Sequence, residues 1–173
     1  MNYVYHGVPE TMFGNELVPL NAMRGDMEDI AKLHRQKYDG RESVMQRRIP
    51  LLNCLWNDVV QFLPVDPEKV FSLQVALGLL REIPHYRFYK IDISTIALDN
   101  TVVYFKDTPG EDSAHVKWLQ DVDFSDLQTI PPATERYYRT LMGKDELPFN
   151  FQFVPHVLHQ GSVDISQATV ITL

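Results

Sequence analysis

Asp58-Val59-Val60-Gln61-Phe62-Leu63-Pro64-Val65-Asp66-Pro67 is the stretch whose reading decides the fold, because it packs a strand, a turn and a helix start into one short run. The β-branched and aromatic side chains up to Leu63 suit a buried strand. Pro64 stops it, Asp66 supplies an N-cap, and Pro67 opens a helix at the one position where its missing N–H costs nothing. Within that helix Val70, Leu73, Leu77 and Leu80 share a stripe with Phe71 and Val75 beside it, so it is apolar nearly all round and is expected at the centre of the molecule.

Toward the N-terminus, Tyr3 to His6 alternates and is rich in aromatic and β-branched residues, which predicts a first strand whose end carries His6 into a turn at Gly7. Asp26 is placed to cap a helix over Met27 to Tyr38, with Met27, Ile30, Ala31, His34 and Tyr38 on its inner face. A second short helix is expected from Glu42 to Arg48, ending before Pro50. Toward the C-terminus, Tyr86 to Ile91 and Thr101 to Lys106 read as strands around a helical turn at Ser94 to Leu98. A loop from Thr108 to Ser113 and polar helices near Asp112 to Leu119 and Thr134 to Met142 follow. Phe151 to Leu158 and Val163 to Ile171 return to strand character, with Gly161 at a turn. This order does not repeat a βαβ unit, so the expected class is α+β, one domain over residues 1–173 with a split or mainly antiparallel sheet and packed helices.

Composition narrows the function classes. The chain has 173 residues, 45% hydrophobic and 23% charged, which is ordinary for a folded protein and unlike a disordered one. Cys54 is the single cysteine, so neither an intrachain disulfide nor a four-thiolate zinc site can form. The opening Met1 to Gly7 carries no basic leader, and no apolar run approaches the roughly 20 residues of a membrane span, so a cytoplasmic protein without a membrane partner is expected. A net charge of −7 argues against a general nucleic-acid coat, although Arg41, Arg47 and Arg48 form a local basic cluster.

The chain lacks a phosphate loop ending in Lys-Ser or Lys-Thr, a Rossmann glycine fingerprint, a His-Glu-x-x-His helix and a Gly-x-Ser-x-Gly elbow. Cys54 sits in the apolar run Leu51 to Trp56 and reads as core. His156 and His159, three apart on a strand, point to opposite faces, so no metal is expected.

A distributed pattern remains. Tyr5-His6-Gly7-Val8, followed by Asn15 and an amphipathic helix, resembles the entry to the ADP-ribosyltransferase-like fold. Arg47-Arg48-Ile49-Pro50 through Trp56 to Pro67 is similar to a segment of the DarT-type DNA ADP-ribosyltransferase toxins, in which an arginine precedes an aromatic strand and a proline-opened helix. Phe88 to Asp107, and Phe153-Val154-Pro155-His156-Val157-Leu158 with Val163 and Val170-Ile171, resemble the middle and final strands of that family. The pieces are short but run in order over most of the chain.

The resemblance implies NAD as substrate, transfer of ADP-ribose to a nucleic acid or protein acceptor, and roles for particular residues. His6 would hold a ribose hydroxyl, the Gly7 backbone would approach the nicotinamide amide, and Asn15 would hold the nicotinamide-side ribose or cap a turn. Arg48, or alternatively Arg47, would neutralise phosphate or position the acceptor. Breaking the nicotinamide–ribose bond creates an oxocarbenium-like cation, which a carboxylate ordinarily stabilises. His156 stands where the toxins carry their glutamate, and an imidazole supplies no negative charge. Asp164, with Glu135 and Asp107 as further candidates, is the expected substitute. Two other readings stay open: an RNA 2′-phosphotransferase-like enzyme, which relies on His and Arg donors, and a non-catalytic interaction module using aromatics such as Trp56, Tyr137 and Tyr138.

Overall fold

A computed structural model describes residues 2–12, 14–36, 38–40, 42–109 and 114–173. Arg41 of the basic cluster and residues 110–113 of the expected loop lie outside them.

The first strand, β1 (Tyr3–Gly7), leads through a loop to the two-residue β2 (Glu16–Leu17). The helix α1 (Glu28–Gln36) begins later than the sequence suggests. Asp26 sits inside a 3-10 turn, Gly25–Met27, instead of capping the helix, because Gly25 at φ 58° bends the chain just before it. Glu42–Gln46 is likewise a 3-10 turn. The expected helix end at Arg48 is a strand: β3 (Arg48–Ile49) pairs with β4 (Cys54–Leu55) in a hairpin, Ile49 opposite Cys54. Pro50 holds Ile49 extended, and extended backbone can pair.

The deciding stretch behaves as read. β5 (Val59–Phe62) runs into the turn, and the Asp66 carboxylate accepts from the Glu68 N–H at 3.0 Å to cap α2 (Pro67–Ala76). That helix stops short of Leu80. Gly78 takes φ 71°, its N–H donates to the Val75 carbonyl, and the Leu79 N–H donates to Gln74, a glycine-terminated stop. β6 (Arg87–Asp92) and β7 (Thr101–Phe105) flank two 3-10 turns. The helix expected near Asp112 to Leu119 is instead β8 (His115–Trp118), where Val116 and Trp118 turn inward and His115 and Lys117 outward with period two. The short α3 (Phe124–Leu127), unforeseen in the sequence, is capped by Asp123; α4 (Pro132–Leu141) follows. The last expected strands shrink to β9 (His156–Gln160), β10 (Val163–Asp164) and β11 (Thr169–Thr172), since Phe151 to Phe153 forms a turn with Phe153 at φ 64°.

The result is α+β with antiparallel sheets. One sheet runs β1-β6-β11, the other β5-β9-β7-β8, and β2 with β10 and β3 with β4 make small ribbons. Among the described residues a single isolated bridge joins the large sheets, where Tyr5 and Leu63 exchange backbone hydrogen bonds of 2.8 Å. Alternation then sorts the side chains of the second sheet. Val60, Phe62, Val103 and Val157 enter one core with Val4 and Ile91 of the first sheet. Val59, Val102 and Leu158 enter another with Ile49, Trp56 and Tyr104. A third core packs Val70 and Phe71 of α2 and Tyr138 of α4 around Tyr5 and Leu63. No helix among the described residues is long and apolar enough to cross a membrane.

Candidate functional site

β1 and β5 are both edge strands, and beyond the Tyr5–Leu63 bridge they part. A strand edge left open this way exposes carbonyls that need donors. The His6 ring meets that need: its Nδ1 lies 2.7 Å from the Gln61 carbonyl oxygen. A carbonyl only accepts, so Nδ1 carries the proton of this hydrogen bond. The Phe62 ring sets the imidazole from the other side, edge-on with centroids 5.7 Å apart.

The fork between the strands opens into a cleft of about 730 Å3. His6, Gly7 and the loop through Met12 form one wall, β5 and Asn57 another, and α1 with Met27, Ile30 and His34 a third. This volume falls within the range of small-molecule sites. Space is open at the Gly7 backbone, where an added Cβ would meet nothing within 4 Å. The α1 face expected to turn inward therefore divides: Ala31 is fully buried, while Met27, Ile30 and His34 look into the cleft.

His6 and Gly7 are the expected site residues that line this cleft; Arg48, Asn15, His156 and Asp164 do not. Arg48 stands exposed on β3 and donates to the Asn53 Oδ1 at 2.6 Å. Arg47 lies over the Trp56 ring, 5.3 Å from its centroid. Asn15 accepts the Ile165 N–H on its own carbonyl at 2.8 Å, in the turn that leads to β2. Asp164 spends both carboxylate oxygens on Ser166, accepting from its N–H at 2.8 Å and its hydroxyl at 3.0 Å. Asp107 is exposed, and Glu135 pairs with Arg139 at 2.6 Å. Of the aromatics expected to serve partner binding, Trp56 and Tyr138 are buried, and the half-buried Tyr137 packs against Phe153.

The cleft has carboxylates of its own, Glu10 in the loop after β1 and Glu16 on β2, and an amide, Asn57, in the turn before β5. Sequence reasoning passed over all three. Glu16 sits opposite Asp164 in the β2–β10 ribbon, so the residue favoured for the negative charge neighbours one that does reach the cleft.

The histidines of β9 occupy other surroundings. His156 lies against Trp56, centroids 6.4 Å apart, with Nδ1 2.8 Å from the Val154 carbonyl oxygen. His159 sits with Nδ1 2.9 Å from the Thr101 hydroxyl, which donates to the Ala97 carbonyl. Burial pulls both below the ordinary histidine value of 6.5. A base with a lowered folded pKa binds fewer protons folded than unfolded, so stability is complete above about pH 6.5 and is lost as the pH falls from there through the folded values. Urea denaturation at pH 7.5 and 5.5 should show a lower midpoint at 5.5, and His156→Gln should make that difference smaller. Among the described residues no group of three or more His, Cys, Asp and Glu could hold a metal ion.

No family model, no curated protein and no solved structure matches this chain. Its class rests on its own geometry: an α+β protein whose two larger antiparallel sheets meet at the Tyr5–Leu63 bridge and open a cleft beside it.

Proposed function

We propose that this chain is an ADP-ribosyltransferase-like protein that binds NAD in the cleft at the end of β1. The observation that carries the reading is His6: the imidazole closing the first strand is oriented by the Gln61 carbonyl and lines a cleft large enough for a nucleoside. The imidazole would meet a ribose hydroxyl, and the open backbone at Gly7 gives a flat carboxamide room to approach. The residues fit the nicotinamide–ribose end of NAD. When bound, NAD supplies an activated C1′–nitrogen bond whose cleavage releases nicotinamide; a nucleic acid or protein would be the acceptor.

Binding without turnover is the second reading, and the placement of His156 favours it. The residue aligned with the toxins' glutamate is an imidazole, which carries no negative charge, and it packs against Trp56 outside the cleft walls. An RNA 2′-phosphotransferase activity draws on arginine donors, and Arg48 and Arg47 are engaged by Asn53 and Trp56.

Calorimetric titration with NAD, with nicotinamide release followed in parallel, tests the proposal. Saturable binding is expected in the wild type, weakened about tenfold or more in His6→Ala, the loss of one well-placed hydrogen bond to a ligand hydroxyl. Absence of binding, or equal affinity in His6→Ala, would refute it. Release of nicotinamide separates enzyme from binding module, and transfer of an RNA 2′-phosphate would point to the phosphotransferase.

A further inference from the structure

Asn57 is only 3% exposed, yet it lines the cleft, and its side-chain amide has no hydrogen-bond partner among the described residues. The buried side-chain atoms without a partner among the described residues are the Gln74 carbonyl oxygen and the Thr134 hydroxyl, so the Asn57 amide reaches the solvent of the cleft and is open to a ligand there. The 3-10 turn Trp56–Asp58 holds it in place: the Asp58 carboxylate accepts from the Leu55 N–H at 2.7 Å and from the Asn21 amide at 2.8 Å, so the turn is anchored from both sides. A fixed amide with an unused donor and an unused acceptor is complementary to another primary carboxamide, which offers one of each in the same plane.

The charges of the cleft point the same way. Glu10 and Glu16 line it, which favours a cationic ring and opposes an added carboxylate. A nicotinamide ring joined to ribose is a pyridinium bearing a primary carboxamide, and it satisfies both conditions.

Resting on the NAD reading above, we infer that Asn57 is the specificity-determining residue of the cleft, reading the carboxamide of a cationic nicotinamide ring. The ligand is thereby distinguished from its nicotinic acid counterpart, in which a carboxylate replaces the carboxamide. That counterpart has no N–H to give the Asn57 oxygen and brings a second negative group toward Glu10 and Glu16.

The test is calorimetric titration with NAD and with nicotinic acid adenine dinucleotide, alike except for that one group. The wild type should bind NAD about tenfold or more tightly. Asn57→Leu, close in size and apolar, should lower NAD affinity about tenfold, because it removes both the donor and the acceptor offered to the carboxamide. Glu10→Gln with Glu16→Gln should narrow the preference by strengthening binding of the acid. Equal affinities of the wild type for the two dinucleotides would overturn the inference and leave NAD binding standing; no binding of either would remove both. Asn57→Leu that melts lower and keeps its NAD affinity would also overturn it, marking Asn57 as structural. Should that variant fail to fold, the wild-type ratio decides.

Discussion

Phe62→Ala is expected to cost about 3–5 kcal/mol of stability, a large fraction of what keeps a small domain folded. Phe62 is 1% exposed at the end of β5, in the core shared by the two sheets, opposite Val157 on β9. Truncating it removes the aromatic surface between the sheets and leaves a hole that the surrounding strands, tied by backbone ladders, cannot close. In a chain of this size that loss lowers the melting temperature by roughly 6–20 °C. The effect reaches the cleft, because the Phe62 ring packs edge-on against the His6 imidazole. Urea denaturation should therefore show a lower midpoint, and NAD affinity should fall even where the variant is fully folded. A stability change below about 1 kcal/mol would mean that the two sheets do not share this core.

Tyr138→Phe should be the second large effect, about 1–3 kcal/mol from one oxygen atom. Tyr138 is fully buried on α4; its hydroxyl accepts from the Gln74 amide of α2 at 2.9 Å and donates to the Asn150 carbonyl. Burial pushes its pKa up to about 12, so the hydroxyl keeps its proton and remains a donor at any working pH. The Gln74 carbonyl oxygen already has no partner among the described residues, so this network has no slack. Deleting the hydroxyl strands the Asn150 carbonyl on a weaker bond, 3.3 Å from the Gln74 nitrogen. Tyr138→Phe combined with Gln74→Leu should lose less than the sum of the two single changes, since both remove the same bond. Additive losses would show that α2 and α4 are not coupled through it.

The sequence carried these features unequally, for physical reasons. The strand of β5, the Pro67 start of α2 and the Tyr3–Gly7 strand were legible because local chemistry and tertiary packing agree there: β-branched side chains in a buried strand, an Asp–Pro helix entry, an alternating edge. β8 was not legible. His115-Val116-Lys117-Trp118 is too polar to announce a strand, and pairing to β7 decides its state. Arg48 was read as helical because the run up to Gln46 is helix-compatible, whereas the hairpin partner that makes it a strand lies beyond Pro50.

The site divides in the same manner. His6 and Gly7 could be singled out as a strand-end pair. That β1 and β5 would join at one bridge and then part, making a cleft of their fork, depends on a contact between residues far apart in sequence, Tyr5 with Leu63. Glu10, Glu16 and Asn57 carry no local signature: two acidic side chains near turns and one asparagine in an apolar run. Only the fold brings them onto one cavity.

The most direct measurement is heteronuclear NMR of the imidazole side chains during titration with NAD, since the chain has six histidines in distinct surroundings. With NAD seated in the cleft at the end of β1, the His6 and His34 resonances shift together and saturate, while those of His156 and His159, on β9 outside the cleft walls, stay in place. Saturating shifts confined to other histidines, or no shift at any NAD concentration, would contradict it.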